Sequence, residues 1–178
     1  MKAIQNYPYI FILAWNRPIY LWVCLDSIYR HTTYPHKIVI ADNNSSDPLV
    51  RNVIKGFEKR GLFHQIHFYK ENEPLRFKKI IEQYWDEIED YFVFIEGDIE
   101  ILPKKNGCWL SKMVGYMEEN SNLASVGSVV YKPDFVSMEK ARELKPDLTE
   151  EELSFLIKAN APMRDYQTIN KPVIDPHN

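Results

Sequence analysis

Three carboxylates, Glu96, Asp98 and Glu100, alternate with Gly97 and Ile99 directly after the apolar run Tyr91-Phe92-Val93-Phe94-Ile95. A run of that kind reads as a buried strand of a parallel sheet. Parallel α/β sheets bind their ligands outside the carboxyl ends of the strands. Acids placed there suit a hard divalent cation and, through it, the phosphates of a nucleotide. A solvated acidic loop is the plainer reading of the same residues. If the backbone stays extended, alternation puts Glu96, Asp98 and Glu100 on one side, with Asp98 the foremost metal ligand and Glu100 a further one. Gly97 lets the chain turn or approach a ligand closely.

Three more polar groups follow apolar runs: Trp15-Asn16-Arg17, Asp42 to Asp47, and Lys70-Glu71-Asn72. With parallel strands, all four groups lie on one edge of the sheet. Turn-forming Asp and Asn gather at strand ends for local reasons too, so the set carries more weight than any member. Asp42 leaves an apolar run and offers an acceptor to a base or ribose. Arg17 and Arg76 each present a planar fork of donors suited to phosphate, or to ordinary surface pairing. Asn43, Asn44, Ser45 and Ser46 read as turn and capping residues.

The elements that must position these groups alternate between strand and helix, which predicts an α/β protein built from βαβ units. Strands are expected at Tyr9 to Ala14, Lys37 to Ala41, Ile66 to Tyr69, Tyr91 to Ile95 and Leu123 to Val130. Leu21, Leu25 and Ile28 mark a helix opened by Pro18. Val50, Val53, Ile54 and Phe57 mark a second, with Asp47 as its N-cap, Pro48 at its first position and Gly61 at its end. Phe77, Ile80, Ile81 and Tyr84 give a third, beginning near Leu75, and Trp109, Met113 and Met117 a fourth, with Gly107 just ahead. Further helices are expected over Met138 to Leu144 and Thr149 to Ala159, the latter with a Thr149/Glu152 capping box. The tail from Pro162 onward has little periodicity, and no domain boundary interrupts residues 1–178.

At 178 residues and 45% apolar content the chain has length enough for one sizeable core. A net charge of −3 argues against nucleic acid as the main partner. Cys24 and Cys108 lack metal spacing and read as reduced, buried thiols, which suggests the cytoplasm and leaves open a peripheral membrane location. The apolar stretch Tyr9 to Trp15 is too short to span a bilayer, and no targeting segment is evident. No G-x-G-x-x-G follows any strand, which disfavours a dinucleotide-dependent oxidoreductase. Trp15-Asn16-Arg17-Pro18 supplies no glycine-rich basic loop of the kind a nucleotidyltransferase would want.

Over residues 7 to 130 the chain resembles the family 2 glycosyltransferases of GT-A fold. The resemblance rests on Phe11-Ile12-Leu13-Ala14-Trp15-Asn16-Arg17-Pro18, on Cys24-Leu25-Asp26-Ser27-Ile28, and on Ile38-Val39-Ile40-Ala41-Asp42-Asn43-Asn44-Ser45-Ser46-Asp47. Phe92-Val93-Phe94-Ile95-Glu96-Gly97-Asp98 resembles the strand that runs into the family's Asp-x-Asp motif, here as a Glu-x-Asp variant. The resemblance implies a three-layer α/β/α sandwich with a mostly parallel central sheet, in one domain with a short irregular C-terminal region at 131–178. It implies transfer of a sugar from a nucleotide-sugar, UDP- or GDP-linked above all, to an acceptor hydroxyl with inversion. The acceptor, whether glycan, lipid or protein, is left open, as is a homo-oligomer or a partner chain. Asp42 would contact the base, and Ala14 and Trp15 would border its pocket. Arg17, Arg76, Glu96 and Gly97 would complete the nucleotide-sugar site, and Asp98 would bind Mn²⁺ or Mg²⁺. The general base of the family falls in a part of the sequence that this chain does not match. Asp165 is the candidate there, with Asp175 as a substitute and His177 as an added metal ligand. A non-catalytic nucleotide-sugar-binding module is the alternative.

Overall fold

Four apolar runs become four parallel strands: β1 (Tyr9–Ala14), β2 (Lys37–Asp42), β3 (Gln65–Phe68) and β4 (Phe92–Glu96). The computed structural model describes residues 7–103, 107–128 and 137–154. The strand order is β3-β2-β1-β4. Ala14 lies opposite Asp42, Asp42 opposite Phe68 and Leu13 opposite Glu96, so the carboxyl ends of all four strands sit level. The chain first steps outward from β1 to β2 and β3, then crosses back to place β4 on the other side of β1. That reversal opens a crevice between the ends of β1 and β4, the place where open parallel sheets bind ligands.

Helices cover both faces because β1 and β2 are apolar on both sides. α1 (Pro18–His31), α2 (Pro48–Glu58) and α4 (Trp109–Glu119) pack on one face through Leu21, Leu25, Ile28, Ile54, Phe57 and Leu110, against Ile10, Ile12, Ile38, Ile40 and Ile95. α3 (Arg76–Gln83) lies on the opposite face, where Ile80 and Tyr84 meet Tyr9, Phe11, Val39 and Ala41. Each such aliphatic side chain contributes about 1.5–3 kcal/mol on full burial. Local signals set the ends of α2. Asp47 Oδ1 accepts from Leu49 N at 2.9 Å, and Pro48 fixes the first turn. Gly61, at φ 73°, ends it in a Schellman pattern, with Gly61 N bonded to Glu58 O and Leu62 N to Phe57 O.

Several sequence expectations are corrected. The strand before the acidic loop is buried only in part: Ile95 is inside, but Phe92 and Phe94 are 41% and 50% exposed. Among the described residues β4 pairs with β1 alone. The strand expected over Leu123 to Val130 does not form across 123–128, where every residue but Val126 is exposed. Gly127 and two serines leave that stretch without a continuous apolar face. Of the two thiols only Cys24 is a buried hydrophobe, and burial pushes its pKa up to about 12. Cys108 is half-buried; burial raises its pKa, but backbone N–H groups, Ser111 first among them, outweigh that and leave it below its ordinary value.

The chain divides into two compact units, Met1–Leu123 and Ala124–Asn178. In the second, α5 (Met138–Leu144) begins at Ser137, whose Oγ accepts from Lys140 N. A helical stretch over 150–154 opens with the expected capping box: Glu152 Oε2 accepts from Thr149 N at 2.8 Å, and Thr149 Oγ1 from Glu152 N at 3.3 Å. The remainder of that helix and the tail lie outside the described residues.

A half-buried histidine is expected to make the first unit sensitive to acid. His67 Nε2 lies 2.9 Å from Tyr84 Oη, the ring stacks on Tyr69, and burial lowers its pKa from the ordinary 6.5. A depressed folded-state value means the neutral ring's contribution is complete above about pH 6.5 and is lost as pH falls through the folded value. The drop in thermal midpoint between about pH 7.5 and 5.5 is therefore expected to be smaller in His67→Gln than in the wild type. Equal drops in the two proteins would remove His67 as the source.

Candidate functional site

The turn leaving β1 is held in an uncommon backbone conformation. Asn16 and Arg17 have φ of 53° and 54°, two successive left-handed residues that are not glycine. Each such residue costs roughly 1–2 kcal/mol, less for Asn than for Arg. The turn after β2 offsets that cost. Asn16 Oδ1 accepts from Ser46 N at 3.0 Å, Ser46 Oγ at 3.2 Å and Asp47 N at 3.2 Å, while Asn16 N donates to Ser45 Oγ at 2.8 Å. Pro18 then starts α1, with Leu21 N bonded to Arg17 O. Ala14 is buried, and Trp15 beside it is 55% exposed.

The turn after β2 closes on itself and on its neighbours. Asp42 is buried, and its Oδ1 accepts from Ser45 N at 3.0 Å and Ser45 Oγ at 2.5 Å, two bonds from the residue three positions on that fix the carboxylate's orientation. Asn43 is the hub between three strand ends. Its N–H donates to Ala14 O at 2.8 Å, and its Oδ1 accepts from Glu73 N and Arg76 Nε, both at 3.1 Å. Its Nδ2 donates to Asn72 Oδ1 at 2.6 Å and Glu73 O at 3.0 Å. The guanidinium of Arg76, foreseen as a phosphate contact, is occupied within this network. It is buried, donates from Nη2 to Glu71 O at 2.9 Å and lies 3.6 Å over the Tyr69 ring. Lys79 Nζ, 2.6 Å from Glu73, and then Arg76 hold the Glu73 carboxyl below its ordinary range.

At the end of β4 the chain passes hard against β1. Gly97 N donates to Leu13 O at 2.9 Å, and a Cβ at Gly97 would stand 2.9 Å from that same oxygen and 3.2 Å from Leu21 Cδ1. Only glycine permits the approach. The backbone turns at once, with Ile99 N bonded to Glu96 O at 3.2 Å, so it does not stay extended. Alternation therefore does not align Glu96, Asp98 and Glu100 as the sequence suggested. Asp98 instead meets Arg17: Nη1 lies 2.6 Å from Oδ2, across the crevice between β1 and β4.

Among the described residues no three His, Cys, Asp or Glu gather to hold an ion by themselves. A cation shared with a diphosphate needs only one or two carboxylates, the phosphates supplying the other oxygens. The Asp98 carboxylate and that of Glu96, at the end of β4, are hard donors of the type such an ion takes. Glu100 lies beyond the turn and is exposed. Asp165, Asp175 and His177 lie outside the described residues. Sequence reasoning overlooked Asn16 as the clamp between two turns and took Asn43 for an ordinary turn residue. The visible signal was an Asn within two residues of a strand end in both turns.

Comparison with known proteins adds a family. The model described as "Glycosyl transferase family 2" matches residues 9–175. No curated protein matches. Among solved structures, the crystal structure of S. aureus TarS is 16% identical with a TM-score of 0.48, over 71% of this chain and 24% of that one. The crystal structure of S. aureus TarS 1-349 is 15% identical with a TM-score of 0.48, over 75% of this chain and 42% of that one. The chain thus spans less than half the length of either.

Gly97→Ala is expected to lower unfolding stability by about 1–3 kcal/mol, because the added methyl meets a backbone oxygen that cannot move without disturbing β1. Urea denaturation measures it. A change below about 0.5 kcal/mol would mean the approach of the two strand ends is slack.

Proposed function

The chain belongs to glycosyl transferase family 2, and from that premise we propose that it transfers a sugar from a nucleotide-sugar to an acceptor hydroxyl, with a divalent cation and with inversion. The observation that carries this reading is the meeting of Asp98 and Arg17 over the crevice where the strand order reverses. Asp98, with Glu96 toward the metal or ribose, holds Mn²⁺ or Mg²⁺ in this reading. When bound, that ion neutralises charge growing on the departing nucleoside diphosphate.

The chain's own residues do the rest. The two bonds from Ser45 lock Asp42 so that its carboxylate presents to the base in one orientation, and so contributes specificity. The exposed Trp15 indole and the backbone of Ala14 border the base. Gly97 brings the β4 end close enough to β1 for Asp98 and Arg17 to serve one ligand. The donor is UDP- or GDP-linked. The acceptor hydroxyl loses its proton to a carboxylate base, for which Asp165 is the candidate, and attacks the anomeric carbon opposite the leaving group.

Saturating UDP- or GDP-sugar with Mn²⁺ is expected to raise the thermal midpoint by about 5 °C or more, since a ligand at a hundred times its Kd stabilises by about 2.7 kcal/mol. Asp98→Asn should abolish the Mn²⁺-dependent part of that rise. A metal-dependent shift surviving in Asp98→Asn removes Asp98 from the metal site. No shift with any nucleotide-sugar sinks donor binding. Binding without release of nucleoside diphosphate in the presence of any acceptor leaves a donor-binding module instead of a transferase.

A further inference from the structure

Both ends of the Arg17–Asp98 pair are fixed by backbone, but the pair itself lies open. Arg17 is the left-handed residue between the clamped Asn16 and the ring of Pro18. Asp98 follows the glycine whose N–H is bonded to Leu13 O. The Cα atoms of the two residues are therefore held in register, while the side chains are 67% and 32% exposed. Arg17 does not cap α1 with its side chain, and its only ion-pair partner among the described residues is Asp98. A guanidinium so placed occupies one lone pair of the carboxylate that the proposed reaction needs for a cation. Pairs this exposed are weak and readily exchanged.

We propose that Arg17 is an exchangeable counter-cation: it neutralises Asp98 in the free protein and, when a divalent ion takes Asp98, swings to the diphosphate that arrives with the ion. This rests on the donor-binding reading and adds to it an order of events and a competition. The exchange balances charge at each stage. Before binding, one carboxylate faces one guanidinium. Afterwards the carboxylate faces the ion, and the guanidinium faces phosphate oxygens, for which its paired N–H groups are the better match. The free protein then keeps the Asp98 carboxylate paired. A cation without a diphosphate is disfavoured, because it must displace Arg17 and leave that charge without a partner.

The test reads binding, not turnover. Free Mn²⁺ is counted by electron paramagnetic resonance against the whole chain, for Mn²⁺ alone, and calorimetry follows the Mn²⁺ complexes of UDP and GDP. Arg17→Gln is expected to bind Mn²⁺ alone roughly two- to fivefold more tightly, the range an exposed ion pair supplies. The same variant should bind the better nucleotide complex roughly tenfold more weakly. Arg17→Lys, which keeps the charge and loses the fork, should resemble the wild type toward Mn²⁺ and Arg17→Gln toward the complex. In an Asp98→Asn background Arg17→Gln should no longer tighten Mn²⁺. Circular dichroism confirms that each variant is folded. Unchanged or weaker Mn²⁺ binding in Arg17→Gln overturns the exchange, even with donor binding intact. If the wild type binds neither complex while Arg17→Gln still tightens Mn²⁺, the donor reading falls and the competition for Asp98 stands.

Discussion

The last two carbonyls of β1 are gripped from opposite sides, and the site follows from that grip. Leu13 O accepts from Gly97 N, beyond β4, and Ala14 O accepts from Asn43 N, beyond β2. Both bonds carry a parallel ladder past the strand ends into the connecting turns. A buried carbonyl left without a partner would cost a few kcal/mol, so the turns are not free to drift from β1. The central strand thereby sets the spacing of Asp42, Arg17 and Asp98 together.

Rigidity and freedom are divided unevenly around that strand. On the β2 side the polar groups are tied into a network: Asp42 Oδ1 to Ser45, Asn43 to Glu73 and Arg76, and Asn16 to Ser46 and Asp47. Nothing there can reorient without breaking several bonds at once, which suits a surface that reads the shape of a base. On the β4 side, among the described residues, a single exposed ion pair bridges the crevice. A network that is satisfied internally selects, and a contact that is weak and solvated can be traded for a ligand.

Much of this was legible in the residues. The four strands and their parallel order follow from apolar runs spaced by helix-forming segments, and the caps of α2 from Asp47-Pro48 and Gly61. Those are local signals, so they read correctly. The faults concern what lies next to what. The run Phe92 to Glu96 shows the same apolar pattern whether one or two strands flank it, so its half-exposure could not be read. Arg76 and Arg17 look alike in sequence. Only the fold buries one beneath Tyr69 and brings the other to a carboxylate 81 residues away. The turn at Gly97 also defeated an argument from alternation that holds only for extended chain.

The reversal in strand order has a consequence for how the molecule comes to exist. β1, β2 and β3 pair with near neighbours, and the first 70 residues hold everything those contacts require. β4 must instead find β1 across a long loop whose closure entropy is spent before any contact rewards it. A partly folded chain can thus carry the Asp42 turn complete while having no crevice at all. The half of the site that carries Asp98 therefore depends on the most distant pairing in the sheet.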